Sequence, residues 1–406
     1  MARVRTVVTG VNMLTPVGLS AEESFEKLYQ GVSGARPIEL FDASGLPTRF
    51  ACQLPPEFAA LEKKHSNRRF VRQTLRHTRI GYVAMKEMLA AQPIPFEQLN
   101  RRKLAVSLGI SGAGVDGDKN DQWEIVKSMI NALPAWLSIE YGLEGPSFAV
   151  ATACASSADA IAHAWRLIQT GEADMVITGG ADAPITDRVV SGFSHLMALS
   201  ARNEDPTRAS RPFDVSRDGF VLGEGAGLLV LEREDHARAR GATLLAELRG
   251  FAASSESNNI MQPKEGGVGM AITMRDAIAH AGLTPADIDY VSAHGTSTQH
   301  NDLCEGLAMK LVFGERVGQV PISSQKSMLG HAIGASGAIE AVTTVMSLLK
   351  QKLTPTLNVS QLDPRLEGLD VVPGVGRPAT LRHALSNSFA FGGHNCSLIF
   401  SRVDAG

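Results

Sequence analysis

The chain has 406 residues, of which 44% are hydrophobic, 20% charged and 5% aromatic. This length is typical of two or three domains or of one large duplicated α/β unit, and it needs no metal or disulfide for stability. The 42 acidic and 39 basic side chains give a net charge of −3. Such a balance argues against nucleic-acid binding or membrane adhesion as the function of the whole protein.

The four cysteines, Cys52, Cys154, Cys304 and Cys396, show no C-x-x-C spacing, so neither a zinc site nor a disulfide framework is indicated. A reducing compartment fits this usage best. The first residues lack the long apolar core and the cleavage site of a secretory signal, and no run approaches the ~18–20 apolar residues of a membrane span. We therefore expect a soluble, cytoplasmic protein.

Short β-branched runs alternate with helical patterns along the chain, which favours an α/β fold with covered sheets. The first series predicts buried strands at residues 4–10, 104–110, 147–152, 174–180 and 227–232. A second series begins near residue 245, in LLAELRGFA, DYVSAHG, QVPISS, HALSNSFAF and NCSLIFS. We therefore predict two halves, 1–245 and 246–406, although no run of residues recurs at a fixed spacing.

Two helices between these strands show apolar residues with a period of 3.6. One predicted face carries Ala158, Ile161, Ala162, Trp165 and Ile168, and the other carries Ile339, Val342, Val345, Met346 and Leu349. The region 54–76 is the most basic. We place its six cations in one helix and its approach: Lys63, Lys64, Arg68, Arg69, Arg72 and Arg76.

Cys154 lies where a predicted strand gives way to a helix, in SFAVATACASSADAIAHAWRLI. The dipole and N–H groups of a helix N-terminus lower the pKa of a thiol and favour the thiolate, and the small neighbours leave room for a substrate. Free cysteines are also commonly buried for structural reasons alone. The local pattern leaves both interpretations open.

Two histidines follow predicted strands in polar contexts beside glycine. His294 lies in DYVSAHG, and His331 lies five residues after Lys326 in KSMLGHAIGASG. Each can be a satisfied core histidine, but with Cys154 they form a candidate set of nucleophile and acid/base groups. In SNSFAFGGHN, an aromatic residue precedes two glycines, which indicates either a gate over a pocket or an ordinary turn.

Three weaker patterns are rejected. A G-x-G-x-x-G match at residues 112–117 has no strand ending in an acid at the spacing that a dinucleotide site requires. A calcium-loop match begins at Asp116, but Asp121 and Lys127 stand where glycine and glutamate are required. The histidines and cysteine of residues 294–304 lack metal-site spacing, so we predict no metal.

Four motifs together resemble those of the β-ketoacyl-[acyl carrier protein] synthases, most closely the elongating synthase I/II branch. They are TACASS around Cys154, AHGTSTQHND around His294, KSMLGHAIGASG around Lys326 and His331, and NSFAFGGHN near the end of the chain. The stretch 198–232 is also typical, and the resemblance covers nearly the whole chain. It implies a thiolase-like fold, in which two similar α/β halves form α-β-α-β-α layers, generally as a homodimer.

The resemblance also implies a role for each matched residue. Cys154 takes the acyl chain from an acyl carrier protein as a thioester. His294 and His331 bind the malonyl thioester oxygen while decarboxylation places negative charge on it, and Lys326 supports them. The backbone N–H groups of Cys154 and Phe391 form an oxyanion hole. The product is a 3-oxoacyl chain on the carrier protein.

The remaining implied residues surround this set. Gly392 and Gly393 belong to the gate, Thr296, Thr298 and Glu340 support the histidines, and Phe193 belongs to the acyl pocket. The carrier protein is acidic, so the resemblance assigns its docking to basic residues: Lys63, Lys64, Arg68, Arg69 and Arg72. No cofactor is implied, because decarboxylation drives the reaction and phosphopantetheine arrives on the carrier protein.

The chain departs from the family pattern at several positions. The segment 117–141 looks shorter than in housekeeping members, Gln299 and His300 follow HGTST, and His394 replaces the commoner threonine. These departures leave the acyl chain length open, and with it the choice between primary fatty-acid synthesis and a dedicated polyketide, polyene or specialised-lipid pathway.

Two other functions match part of this sequence pattern. A non-catalytic chain-length-factor partner, which would form a heterodimer with a ketosynthase, lacks the nucleophilic cysteine that Cys154 supplies here. A CoA-dependent thiolase uses a second cysteine near its C-terminus, whereas this chain has paired histidines and Lys326.

Overall fold

The computed structural model describes residues 4–112 and 120–403. Most of the glycine match and the start of the calcium-loop match lie outside the described residues, as does the start of the segment 117–141. The strands are β1 (Thr6–Leu14), β2 (Arg36–Pro37), β3 (Phe50–Ala51), β4 (Leu104–Gly109), β5 (Ser147–Val150), β6 (Met175–Asp182), β7 (Gly225–Arg233), β8 (Ala246–Ser255), β9 (Tyr290–Ser292), β10 (Pro321–Ser323), β11 (Lys352–Leu353), β12 (Asp370–Val371), β13 (Arg377–Pro378), β14 (His383–Ala390) and β15 (His394–Ser401).

The helices cover and separate these strands. They are α1 (Ala21–Tyr29), α2 (Phe58–His65), α3 (Arg68–Arg72), α4 (Arg76–Ala91), α5 (Glu124–Ser128), α6 (Ala132–Tyr141), α7 (Ser156–Gln169), α8 (Asp187–His195), α9 (Glu234–Ala239), α10 (Val268–His280), α11 (Gln299–Phe313), α12 (Lys326–Leu329) and α13 (Ser336–Lys350). No helix of the described ranges is long and apolar enough to cross a membrane.

The main sheet repeats one topology twice. Its strand order is β12-β10-β9-β14-β15-β8-β1-β7-β6-β4-β5, and β2-β3 and β11-β13 form two small pairs. From β1 outward, β7 and β6 pair antiparallel and β4 and β5 parallel, and from β8 outward β15, β14, β9 and β10 do the same. The prediction of two similar α/β halves is confirmed by this order, while the boundary at residue 245 stays a prediction.

Two buried helices separate the halves. Helices α7 and α13 contact strands of both halves, whereas α4 covers the outer face of the first half and α10 the outer face of the second. Each interface has its own apolar cluster, and the largest one surrounds α7 and α13. The result is the predicted α-β-α-β-α layering. The two predicted apolar faces are buried except at Leu349, which is 42% exposed near the end of α13.

Two predictions of local structure are wrong. Strand β5 was predicted as buried, but Ser147 and Phe148 are exposed because β5 is the edge strand of its half. The basic region was predicted as one helix, but it forms α2, α3 and the start of α4. The break occurs because Ser66 is extended and the Asn67 side chain accepts a hydrogen bond from the N–H of Phe70, which starts a new helix.

Candidate active site

Cys154 lies in a tight turn between β5 and α7. A short 3₁₀ turn, Ala153–Ala155, leads into the helix, and Ala153 adopts a left-handed φ of 49°. The Ser156 hydroxyl accepts a hydrogen bond from the N–H of Thr152 at 2.9 Å and donates to the Ala153 carbonyl at 2.6 Å. These contacts stabilise the strained turn and hold Cys154, which is 7% exposed, at the start of the helix.

Burial has the largest effect on the pKa of the Cys154 thiol. It raises the pKa of Cys154 to about 11, although the Lys326 charge and the backbone N–H groups of Phe391 and Cys154 itself act in the opposite direction. The predicted lowering of this pKa is therefore wrong for the net effect, because desolvation outweighs the Lys326 charge and the backbone groups. The same backbone groups are the two that the family resemblance assigns to an oxyanion hole.

The two histidines face each other at the carboxyl ends of the second half's strands. His294 follows β9 and His331 follows α12, and their rings meet edge to face with centroids 5.4 Å apart. Burial, aided by the Lys326 charge, lowers the pKa of both rings well below the usual value. Both are therefore neutral near pH 7, so each has one N–H donor and one acceptor nitrogen.

Lys326 determines which nitrogen of His294 carries the proton. Its ammonium group donates to the His294 carbonyl at 2.6 Å, lies 3.3 Å from Nδ1 of the same ring, and pairs with Glu340. Because an ammonium group has no acceptor, Nδ1 must accept, and the proton of the neutral ring is on Nε2. Burial raises the pKa of Glu340, and the Lys326 charge opposes that rise.

A single cavity of about 440 Å³ joins these groups. Its lining includes the nucleophile and histidine candidates together with the predicted pocket, gate and supporting residues: Cys154, His294, His331, Phe193, Thr296, Thr298, Phe391 and Gly393. The Phe193 ring packs edge to face on Phe220, which in turn contacts His331. The acyl-pocket candidate is thus linked to the histidine pair by edge-to-face ring contacts.

The predicted gate is a tight loop at the end of β14. Gly392 and Gly393 have φ values of 84° and 73°, which only glycine adopts easily. The N–H of Gly392 donates to the Ile260 carbonyl at 2.7 Å, and the Gly393 carbonyl accepts from the N–H of Glu256 at 3.0 Å. The loop is therefore held by the segment after β8 rather than by its own turn.

The five basic docking candidates do not line this cavity. Lys63 and Lys64 lie on α2, the three arginines lie on α3, and all five side chains are exposed. Lys64 forms an ion pair with Glu87 at 2.9 Å, so the Glu87 carboxylate compensates part of the Lys64 charge.

The sequence analysis missed three residues that hold the site. Glu305 accepts hydrogen bonds from the N–H groups of His294 at 2.8 Å and Gly295 at 2.7 Å. Asp182 accepts from the N–H of Gly334 at 2.8 Å, and Ser336 lies 2.8 Å from Nδ1 of His331. Ser336 lies inside the quoted motif KSMLGHAIGASG and could have been chosen there, whereas Glu305 and Asp182 act on backbone groups of other elements that only the fold brings near.

Comparison with known families decides the assignment. The model described as "Beta-ketoacyl synthase, N-terminal domain" matches residues 4–237, and "Beta-ketoacyl synthase, C-terminal domain" matches residues 245–360. The chain belongs to the β-ketoacyl synthase family. This family assignment confirms the resemblance drawn from the four motifs.

Relatives of this β-ketoacyl synthase align over its whole length. The 3-oxoacyl-[acyl-carrier-protein] synthase 2 of Vibrio harveyi is 39% identical over 99% of this chain and 100% of its own, and that of Synechocystis sp. is 37% identical over 98% of each. Among solved structures, the ishigamide ketosynthase/chain length factor has a TM-score of 0.90 at 30% identity, covering 99% of this chain and 100% of its own. A type II PKS acyl-carrier protein in complex with its ketosynthase gives 0.89 at 28% identity and the same coverage.

Proposed function

We propose that this β-ketoacyl synthase condenses malonyl-[acyl carrier protein] with an acyl chain held on Cys154, releasing CO₂ and giving 3-oxoacyl-[acyl carrier protein]. The observation that carries the proposal is one cavity that contains a buried thiol and two neutral histidines, of which His294 is held by Lys326. The names of the curated relatives support the same reaction.

In the first step the Cys154 thiolate attacks the acyl thioester of the carrier protein, and the carrier's phosphopantetheine thiol leaves. The backbone N–H groups of Cys154 and Phe391, two residues that line the same cavity, are proposed to stabilise the oxyanion of the tetrahedral intermediate. Because burial raises the pKa of Cys154, its thiol loses the proton as the acyl group arrives, and that proton ends on the departing phosphopantetheine sulfur, so the exchange of one thioester for another balances.

In the second step the malonyl thioester loses CO₂, and the electrons of the broken C–C bond form an enolate. The Nε2–H of His294 donates to the enolate oxygen, with His331 beside it as the second donor. The enolate carbon then attacks the Cys154 thioester, a C–C bond forms, and the Cys154 thiolate leaves. Atoms and charge balance without any cofactor, so we propose that none is used.

We propose that the acidic carrier protein binds the exposed cations of α2 and α3. Attraction between opposite charges steers such an encounter without demanding tight contacts. We also propose a cytoplasmic location, since the four cysteines are unpaired and buried.

A second copy of this chain, or a ketosynthase-like subunit, is proposed to cover the edge strand β5. An uncovered edge offers unpaired N–H and C=O groups, and here Phe148 of β5 is 43% exposed and Ile139, on the helix α6 that contacts β5, is 74% exposed. Sedimentation of the purified protein distinguishes the two arrangements, since a homodimer forms without any added subunit.

Intact-protein mass spectrometry tests the function. The protein is mixed with carrier proteins loaded with chains of graded length, beside a Cys154→Ser variant under conditions that exclude oxygen esters. An acyl mass increment that is absent from the variant supports the proposal, and the accepted lengths report the pathway. No increment with any chain on folded protein favours the non-catalytic chain-length-factor function instead.

A further inference from the structure

Ile333 has an unusual backbone conformation in the wall of the cavity. Its φ is 45°, in the left-handed region that a β-branched residue rarely adopts. It begins the short turn Ile333–Ala335, which leads into α13 and contacts the Ala153–Ala155 turn of the nucleophile. Ile333 and Cys154 both line the cavity and belong to one cluster of buried apolar side chains. A strained residue therefore lies beside the thiol that carries the acyl chain in the proposed function.

The carboxylate of Asp182 holds the residue that follows Ile333. Asp182 is fully buried at the end of β6, and its Oδ2 accepts hydrogen bonds from the N–H of Gly334 at 2.8 Å and from that of Ser111 at 3.2 Å. A Cβ built on Gly334 would lie 2.5 Å from this oxygen, so the backbone of the turn passes directly against it. The N–H of Gly334 belongs to the peptide unit that joins it to Ile333. The bond to Asp182 therefore fixes the orientation of that peptide unit, and a hydrogen bond to a carboxylate is among the stronger ones in proteins.

We propose that Asp182 is a positioning residue that keeps Ile333 in its left-handed conformation, and so places the Ile333 side chain where it limits which acyl chains fit on Cys154. The inference rests on the proposed function, because it concerns the chain that Cys154 carries. Without the acceptor, rotation of the peptide unit before Gly334 releases the strain, and the Ile333 side chain leaves the wall beside Cys154. Asp182 itself does not line the cavity, so it acts through the turn.

Alkylation of Cys154 measures the shape of the cavity without any carrier protein. Iodoacetamide is small, whereas N-octyl iodoacetamide must place an alkyl chain in the cavity to bring its reactive carbon to the thiol. Each reagent forms a thioether at the Cys154 sulfur, iodide leaves, and the thiol proton goes to solvent. The two reagents are mixed at about pH 8.5, near the pKa of a free thiol, and peptide mapping gives the ratio of the two adducts on Cys154. Both adducts form on the same molecules, which circular dichroism shows to be folded, so a loss of stability alone leaves the ratio unchanged.

The variants form a matched set in the full-length protein. Asp182→Ala removes the acceptor, Asp182→Asn keeps an acceptor oxygen in the same place, and Ile333→Ala shortens the wall directly. Glu232→Ala controls for lost stability, because Glu232 is fully buried and ion-paired with Arg240 at the opposite end of the β6–β7 pair. Asp182→Ser, whose side chain is too short to reach the N–H of Gly334, replaces Asp182→Ala if that variant fails to fold.

We expect the ratio of the octyl adduct to the small adduct to rise about tenfold in both Ile333→Ala and Asp182→Ala, because space for a methylene group in an apolar pocket changes selectivity by that order. Asp182→Asn and Glu232→Ala keep the wild-type ratio. The double variant Asp182→Ala/Ile333→Ala matches Ile333→Ala, because the carboxylate acts through that side chain.

Four results would overturn the proposal. They are a wild-type ratio in Asp182→Ala or in Ile333→Ala, an Asp182→Asn variant shifted as far as Asp182→Ala, an equal shift in Glu232→Ala, and a further shift in the double variant.

Carrier proteins loaded with a short and a long chain then test the same residue in the proposed reaction. In a mixture of the two, Asp182→Ala takes up the longer chain about tenfold more often, relative to the shorter one, than the wild type does. Wild-type protein that takes up no acyl chain counts against the proposed function alone, because the alkylation ratio still reports on Asp182. Wild-type protein that takes up acyl chains, with an Asp182→Ala variant equal to it in both ratios, counts against the role of Asp182 alone.

Discussion

Replacing Lys326 with methionine separates its structural role from its role at His294. The ammonium group is buried, pairs with Glu340, and donates to the carbonyl and ring of His294. In Lys326→Met the Glu340 carboxylate loses its only buried cation among the described residues. Methionine is unbranched and of similar length, so the variant removes charge and donors with little change in volume.

The structure predicts how much stability Lys326→Met loses and how that loss depends on pH. Breaking a buried pair by removing one partner costs about 3–5 kcal/mol of the free energy of unfolding. Burial already raises the pKa of Glu340, and without Lys326 nothing opposes that rise. When the pKa of a carboxyl group is higher in the folded than in the unfolded protein, the free energy of unfolding falls as the pH rises between those two values. The loss is therefore smaller near pH 5 than near pH 8.

The double variant Lys326→Met/Glu340→Gln provides the control. It removes both charges, so most of the lost stability should return. Malonyl decarboxylation should stay about 10²-fold below wild type in both variants, because nothing then fixes the proton of His294 on Nε2. Urea unfolding at the two pH values and CO₂ release measure these effects. An equal stability loss at both pH values, or wild-type decarboxylation in either variant, refutes the reasoning.

Three further outcomes are expected. Cys154→Ala abolishes acyl transfer but spares malonyl decarboxylation, since the histidine pair is untouched; loss of both activities in a folded variant contradicts this division. Phe193→Ala admits longer acyl chains, because its ring closes the cavity against Phe220; an unchanged maximum length in mass spectra of the acyl-enzyme speaks against it. Changing the three arginines of α3 to glutamate raises the KM for carrier protein about tenfold at low ionic strength without changing kcat. An unchanged KM would show that the carrier protein docks on a different surface.

The strand and helix patterns of the sequence were largely sufficient to predict the fold. Alternating buried runs predicted ten strands of the main sheet, and the 3.6-residue periods predicted α7 and α13. The two wrong predictions concern features that depend on the surroundings of an element and not on its own residue pattern. Strand β5 has the apolar residues of a buried strand but lies at an edge, and the basic stretch breaks at Asn67, whose side chain caps the next helix.

The motifs also identified the chemical groups of the site. Cys154, His294, Lys326 and His331 each stand beside small or glycine residues after a predicted strand, and the cavity contains the first two and the last. Glu305 gave no such signal, because a carboxylate that accepts backbone N–H bonds on another element has no characteristic spacing.

The sequence by itself determined the alternation of elements, the types of catalytic group and the family, because these depend on local residue order. Only the tertiary structure decided how those groups behave. A helix N-terminus predicts a more acidic thiol, yet burial raises the pKa of Cys154 to about 11. Glu305 is an ordinary helix residue until the fold places the backbone N–H groups of His294 and Gly295 against it. Burial and long-range contacts depend on which surfaces meet, and local residue order does not specify that.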